Sequence, residues 1–231
     1  MIRAVLWDID GTLLDFLSAE RAAVRTCFAL FGLGECTDDM LAEYSAINVR
    51  WWQALERGER TKPEILVGRF AEFFRNHGID PAAAVPFNDE YQIRLGDTVV
   101  FPEGALETVR ALKGRVIQCA VTNGTKTAQQ RKLRRSGLDA LLDHVFISED
   151  IGAEKPNPGF FDAVFAALGD VPRAETVIVG DSLTSDIRGG VNAGIRTIWY
   201  DPWEREAPAD MAIDYRIRSL REVLAIVDQE K

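Results

Sequence analysis

The chain has 231 residues, 47% of them hydrophobic and 27% charged, which excludes a disordered tail, a collagen-like repeat and a disulfide-stapled miniprotein. Acidic residues exceed basic ones by 36 to 27, and the resulting charge of −9 repels nucleic acid and anionic membranes at long range. A phosphate-bearing partner would therefore need a local positive charge, most simply a metal ion.

The chain opens on Met1-Ile2-Arg3-Ala4-Val5-Leu6-Trp7, too few apolar residues before Asp8 for a signal peptide. No apolar run elsewhere approaches the ~18 residues of a membrane span, so a cytoplasmic protein without a membrane partner is expected. Residues 3–7 read as a buried strand that ends in Asp8-Ile9-Asp10-Gly11-Thr12. Residues 16–98 follow with helical patterns at 18–31, 38–55, 63–77 and 81–93 and no convincing strand, an all-helical insertion joined by two short connections like a lid over a site. Strand-like runs return at 116–121, 176–179 and 195–200, alternating with helical patterns at 125–136, 158–168 and 184–193. That alternation predicts an α/β fold with a mostly parallel sheet, and ligands in such sheets bind beyond the carboxyl ends of the strands. The expected division is 1–15 with 99–231 for the sheet domain and 16–98 for the helical one. Cys27, Cys36 and Cys119 are odd in number and widely spaced, so neither a disulfide framework nor a zinc site is expected.

The polar residues collect at the strand ends. Asp8 and Asp10 stand two apart, where alternation places both carboxylates on one face and close enough to repel; a hard divalent ion, Mg²⁺ by default, would offset that repulsion. Thr122-Asn123-Gly124 follows another strand and precedes a helix, so its hydroxyl and backbone N–H groups could cradle an anion. Lys155 sits in Glu154-Lys155-Pro156-Asn157-Pro158, where prolines stiffen the backbone ahead of a helix. Asp181 and Asp186 lie in Gly180-Asp181-Ser182-Leu183-Thr184-Ser185-Asp186 after a further strand. Taken alone, the aspartate and threonine stretches are explained by turns and helix capping and the lysine by a surface position; four in one chain, all at such loops, point to one site. Arg50, Lys62 and Arg69 read as surface residues, Trp51 and Trp52 as packing within the helical segment, and Arg131, Lys132, Arg134 and Arg135 as a solvated helix face.

In order and type these four stretches resemble the motifs of the haloacid dehalogenase-like hydrolase superfamily, across nearly the whole chain. The resemblance implies a Rossmann-like core with helices on both faces and an inserted helical cap. It implies Asp8 as nucleophile, Asp10 as general acid and base, and Thr122, Asn123 and Lys155 as phosphate-binding residues. Mg²⁺ would be held among Asp8, Asp10, Asp181 and Asp186. Family members that displace halide lack a carboxylate two residues after the nucleophile, so hydrolysis of a small phosphorylated metabolite is favoured over dehalogenation. A phosphomutase uses the same groups and stays open, as does a receiver-type signalling module, which has no need of a helical lid. Similarity to the pyrimidine-nucleotidase-like branch makes nucleoside monophosphates the leading substrates, with sugar phosphates and acylneuraminate 9-phosphate as rivals.

Overall fold

The computed structural model describes residues 1–209 and 211–229, so positions 210, 230 and 231 of the expected sheet domain lie outside the described residues. Six parallel strands form one sheet: β1 (Ala4–Trp7), β2 (Ile117–Thr122), β3 (His144–Ile147), β4 (Thr176–Gly180), β5 (Arg196–Tyr200) and β6 (Tyr215–Ile217), in the order β3-β2-β1-β4-β5-β6. Trp7 of central β1 is in register with Ala120 on one side and Val179 on the other. The order reverses between β1 and β4, and at that switch point the crossovers leave in opposite directions and open a crevice at the carboxyl ends.

The buried strands carry unbroken apolar runs because both faces are covered. Val5, Trp7, Val177 and Val179 face one core with α5 (Ala105–Leu112) and α10 (Glu222–Gln229); Ala4, Leu6, Val121 and Ile178 face the other with α8 (Pro158–Leu168) and α9 (Arg188–Ala193). The edge strands β3 and β6 are short and half-exposed, and with only three apolar residues in a row in β3 and an arginine in the middle of β6 neither stands out in the sequence as a buried run. Helix α6 (Lys126–Ser136) begins at Thr125, whose hydroxyl accepts from the Ala128 N–H at 3.3 Å, and a four-residue α7 (Ser148–Ile151) follows β3.

Between β1 and α5 the chain builds α1 (Phe16–Leu30), α2 (Asp38–Glu56), α3 (Lys62–Asn76) and α4 (Ala84–Asp97). Polar residues start the first two: Asp15 accepts from the Ser18 N–H at 3.0 Å and Thr37 from the Met40 N–H at 3.3 Å. These helices enclose an apolar cluster of their own in which Phe28, Tyr44, Phe70, Phe73, Phe74 and Phe87 are buried. Arg69, expected on the surface, is 2% exposed. Its guanidinium donates to Asn48 Oδ1 at 2.6 Å and Asn88 Oδ1 at 3.2 Å and lies 5.0 Å from the Phe70 ring centre. Lys62 is likewise buried, donating to Ser148 Oγ at 2.6 Å across to the sheet domain. Helical periodicity cannot foresee either, because both side chains turn inward only after their helices find neighbours. Among the described residues no helix is long and apolar enough to cross a membrane.

Arg69→Met keeps the aliphatic stem but leaves two buried amide oxygens short of a donor. We expect a loss of roughly 1–3 kcal/mol in urea unfolding; a change of only a few tenths would show that the guanidinium contributes little to the helical unit.

Candidate active site

The crevice at the switch point is built from strand ends. Asp8 is the first residue past β1, and its N–H donates to Val179 O at 2.9 Å, which continues the ladder and sets its side chain beside the end of β4. Asp181 is the first residue past β4; its carbonyl is held by Trp199 Nε1 at 3.1 Å and an Arg205 guanidinium N–H at 2.9 Å. Asp186 lies in a π-helical turn, Leu183–Ile187, and its Oδ2 accepts from the Ser182 N–H at 3.1 Å. Ligand atoms of Asp8, Asp181 and Asp186 all fall within 4.8 Å of one another.

Two glycines make room for this cluster. Gly11 has φ +95°, and a β-carbon there would lie 2.8 Å from the Asp181 carboxylate; at Gly180 one would lie 2.2 Å from Asp186 Cγ.

Lys155, 1% exposed, binds the cluster together and uses all three ammonium donors. It reaches Asp8 Oδ1 at 2.8 Å, Asp186 Oδ1 at 2.7 Å and Val121 O at 2.6 Å. Burial works against this ammonium, but Asp186 and Asp8 outweigh it and raise its pKa above the ordinary lysine range. Burial, reinforced by Asp186, pushes the Asp8 carboxyl well above the usual carboxylate range against the pull of Lys155. Burial and Asp186 push Asp181 up to about 7. Among the described residues Lys155 is the one cation that contacts these carboxylates, and with Arg205 acting on Asp181 only from beside its main chain the cluster keeps an excess of negative charge when all three are ionised. An all-oxygen donor set with that excess fits a hard divalent cation.

A family model described as haloacid dehalogenase-like hydrolase matches residues 2–194. The chain belongs to that family. This haloacid dehalogenase-like hydrolase is 34% identical over 228 residues to the HAD-hydrolase YfnB of Bacillus subtilis (strain 168), covering 99% of this chain and 96% of that protein. A crystal structure of YfnB bound to magnesium superposes with TM-score 0.91 over 98% of this chain and 99% of that one. Two pyrimidine 5'-nucleotidases are also similar: PynA of Streptococcus pneumoniae, 31% identical across 97% of this chain and 94% of that protein, and YjjG of Escherichia coli, 29% identical across 95% of each.

Not every residue expected at the site of the hydrolase points into the cluster. The Asp10 carboxylate is outside the trio: Oδ2 accepts from Gln129 Nε2 at 2.6 Å and Oδ1 from Lys132 Nζ. Each of the two carboxylates expected to repel has an ammonium of its own, Lys155 for Asp8 and Lys132 for Asp10. Lys132 is fully buried, which corrects its reading as part of a solvated face. Asn123 turns its amide away from an incoming anion, donating to Lys155 O and accepting from the Lys155 N–H, both at 2.8 Å. Both amide groups are thus spent on fixing the Lys155 main chain. Thr122, 1% exposed, accepts from the Gly124 N–H at 3.0 Å.

These residues floor a cleft of about 600 Å³ whose opposite wall comes from the helical unit, with Phe16, Asn48, Trp52, Gln53 and Glu56. Glu56 accepts from the Thr184 hydroxyl at 2.5 Å across the cleft, and burial raises its pKa. Trp52 therefore lines the cleft, while Trp51 donates to Glu72 at 2.8 Å on the helical unit. Glu56, Gln129 and Lys132 carry no motif signal; only the folded packing brings Glu56 to the cleft and the other two to Asp10 behind it.

The raised pKa of Asp181 has a sign. Its folded value exceeds the ordinary carboxylate value, so the stability it contributes is complete below that ordinary value and lost as pH rises through about 7. With chelator present, the Tm should fall between about pH 4 and about pH 7, the interval between the ordinary and the folded value, and Asp181→Asn should flatten that fall. An equal fall in both proteins would place the titration elsewhere.

Proposed function

We propose that this hydrolase is a Mg²⁺-dependent phosphomonoesterase acting on a small phosphorylated metabolite, with nucleoside monophosphates as the first candidates. The observation that carries the reading is the division of labour between two carboxylates: Asp8 inside the acidic cluster, Asp10 outside it with a lysine and a glutamine of its own. A halide departs without a proton, whereas an ester oxygen needs one, and Asp10 is the group available to give it. The similarity to PynA and YjjG supports nucleoside monophosphates, and the cleft of about 600 Å³ suits a small metabolite.

In this reading Asp8 attacks phosphorus in line, the ester P–O bond breaks, and the departing oxygen takes a proton from Asp10. Asp10, then a carboxylate, removes a proton from the water that hydrolyses the aspartyl phosphate, so both groups return to their starting states. Thr122 and the main chain of Asn123 hold phosphoryl oxygens, while Lys155, fixed by the Asn123 clamp, keeps Asp8 oriented and offsets negative charge. Asp8, Asp181 and Asp186 would hold the Mg²⁺, which when bound supplies the positive charge that the cluster and a phosphate both lack. Helices α1 to α4 act as a cap that closes the cleft and contacts the leaving group.

The test is phosphate release from nucleoside monophosphates, hexose phosphates, triose phosphates and N-acetylneuraminate 9-phosphate, with Mg²⁺ and with chelator. Multiple turnovers are expected with Mg²⁺ only. Asp8→Asn should fall to background, and Asp10→Asn should lower kcat by about 10²–10⁴-fold. A single stoichiometric phosphorylation without turnover would instead favour a phosphoacceptor switch.

A further inference from the structure

Lys132 is the anomaly of helix α6. Its neighbours make ion pairs near the surface: Lys126 with Asp150, Arg131 with Asp97 at 2.6 Å and Arg135 with Asp97 at 3.4 Å. Lys132 instead points inward, is 0% exposed, and has its ammonium bonded to Asp10 and 5.3 Å from the Phe16 ring centre. Stability alone is a weak reason for it, since apolar residues of similar volume often replace buried ion pairs without loss.

Gln129, one turn earlier on the same face, takes the other Asp10 oxygen at 2.6 Å. It is 1% exposed, and its own Oε1 has no hydrogen-bond partner, so its orientation serves the bond to Asp10 rather than its own full satisfaction. The loop before α6 leaves the space for it: a β-carbon at Gly124 would lie 2.1 Å from Gln129 Nε2. Helix α6 is in turn tied to α4 of the helical unit by Thr125 Oγ1 donating to Gln92 at 2.7 Å and by Arg131 on Asp97. Asp10 and Phe16 both line the cleft where the two units meet.

We infer that Lys132 and Gln129 are positioning residues that fix the Asp10 carboxyl at this junction for proton delivery to the departing oxygen. The inference rests on the reading of Asp10 as acid and base. No proton passes through either residue: Asp10 gives its proton to the ester oxygen as the P–O bond breaks, the resulting carboxylate stays between Lys132 and Gln129, and the attacking water returns a proton to it. Removing a positioning residue should then hurt a leaving group in proportion to its need for a proton.

Lys132→Met and Gln129→Leu, assayed with saturating Mg²⁺, should lower kcat/KM, which reports the steps up to departure of the ester oxygen and not the later hydrolysis common to all esters, by about 10²-fold on the fastest alkyl phosphomonoester of the panel. On p-nitrophenyl phosphate, whose phenolate leaves without a proton, the loss should stay under about tenfold. In an Asp10→Asn background Lys132→Met should add less than about twofold, because the group it acts through is already gone. Equal losses on both esters, or a full additional loss in that background, would overturn the inference. Should Lys132→Met fail to fold by circular dichroism, Gln129→Leu carries the same comparison, and an unchanged Gln129→Leu would count against the inference. Wild-type protein that released no phosphate from either ester would instead overturn the reading of Asp10 itself.

Discussion

The site depends on one ammonium shared by two carboxylates and a main-chain carbonyl. Lys155 spends every donor it has on Asp8, Asp186 and Val121, and so connects the ends of β1 and β2 with the turn after β4. Such a group is expensive to bury unless each proton is used, and these are. Burial, and then the repulsion from Asp186 that Lys155 only partly offsets, make Asp8 and Asp181 hold protons more tightly than exposed acids do. The excess of acidic oxygen that makes the cluster costly to bury is what suits it to a divalent ion.

Much of the core was legible in the sequence because fully covered parallel strands need continuous apolar runs, and the runs at β1, β2, β4 and β5 are each followed by polar residues at a turn. Asp8, Thr122, Asp181 and Asp186 could be named from those turns, and Lys155 from its proline-flanked loop before α8, because strand order, not sequence distance, decides what meets at the switch point. The edge strands were not legible, since exposure on one side removes the pattern that marks a buried strand. Directions of side chains were legible least. Asp10 and Asn123 belong to the right stretches, but each turns to a partner that residue type alone does not disclose: α6 for the first, the Lys155 main chain for the second.

Polar side chains inside the helical unit follow the same logic. A chain of hydrogen bonds runs from Glu20 through Asn48, Arg69 and Asn88 to Gln92 and ends at Thr125 of the sheet domain. Buried polar groups satisfied in series fix relative orientation more strictly than apolar packing, which tolerates sliding. Asn48 is both a link in that chain and part of the cleft wall, so the wall of the helical unit is held by the same bonds that tie it to α6.

Gly11 and Gly180 show how tightly the separate stretches are written together. The space at Gly11 is occupied by the carboxylate of Asp181, a residue encoded far downstream, while Gly180 yields to Asp186 six positions on. Each glycine is therefore an imprint of an aspartate rather than an independent letter. In descendants of this chain that traded either acid for a smaller residue, the matching glycine would lose its close contact, freeing the spacing at 180 while the left-handed backbone still restricts position 11, so drift at the two sites would be unequal and tied to the fate of the acids.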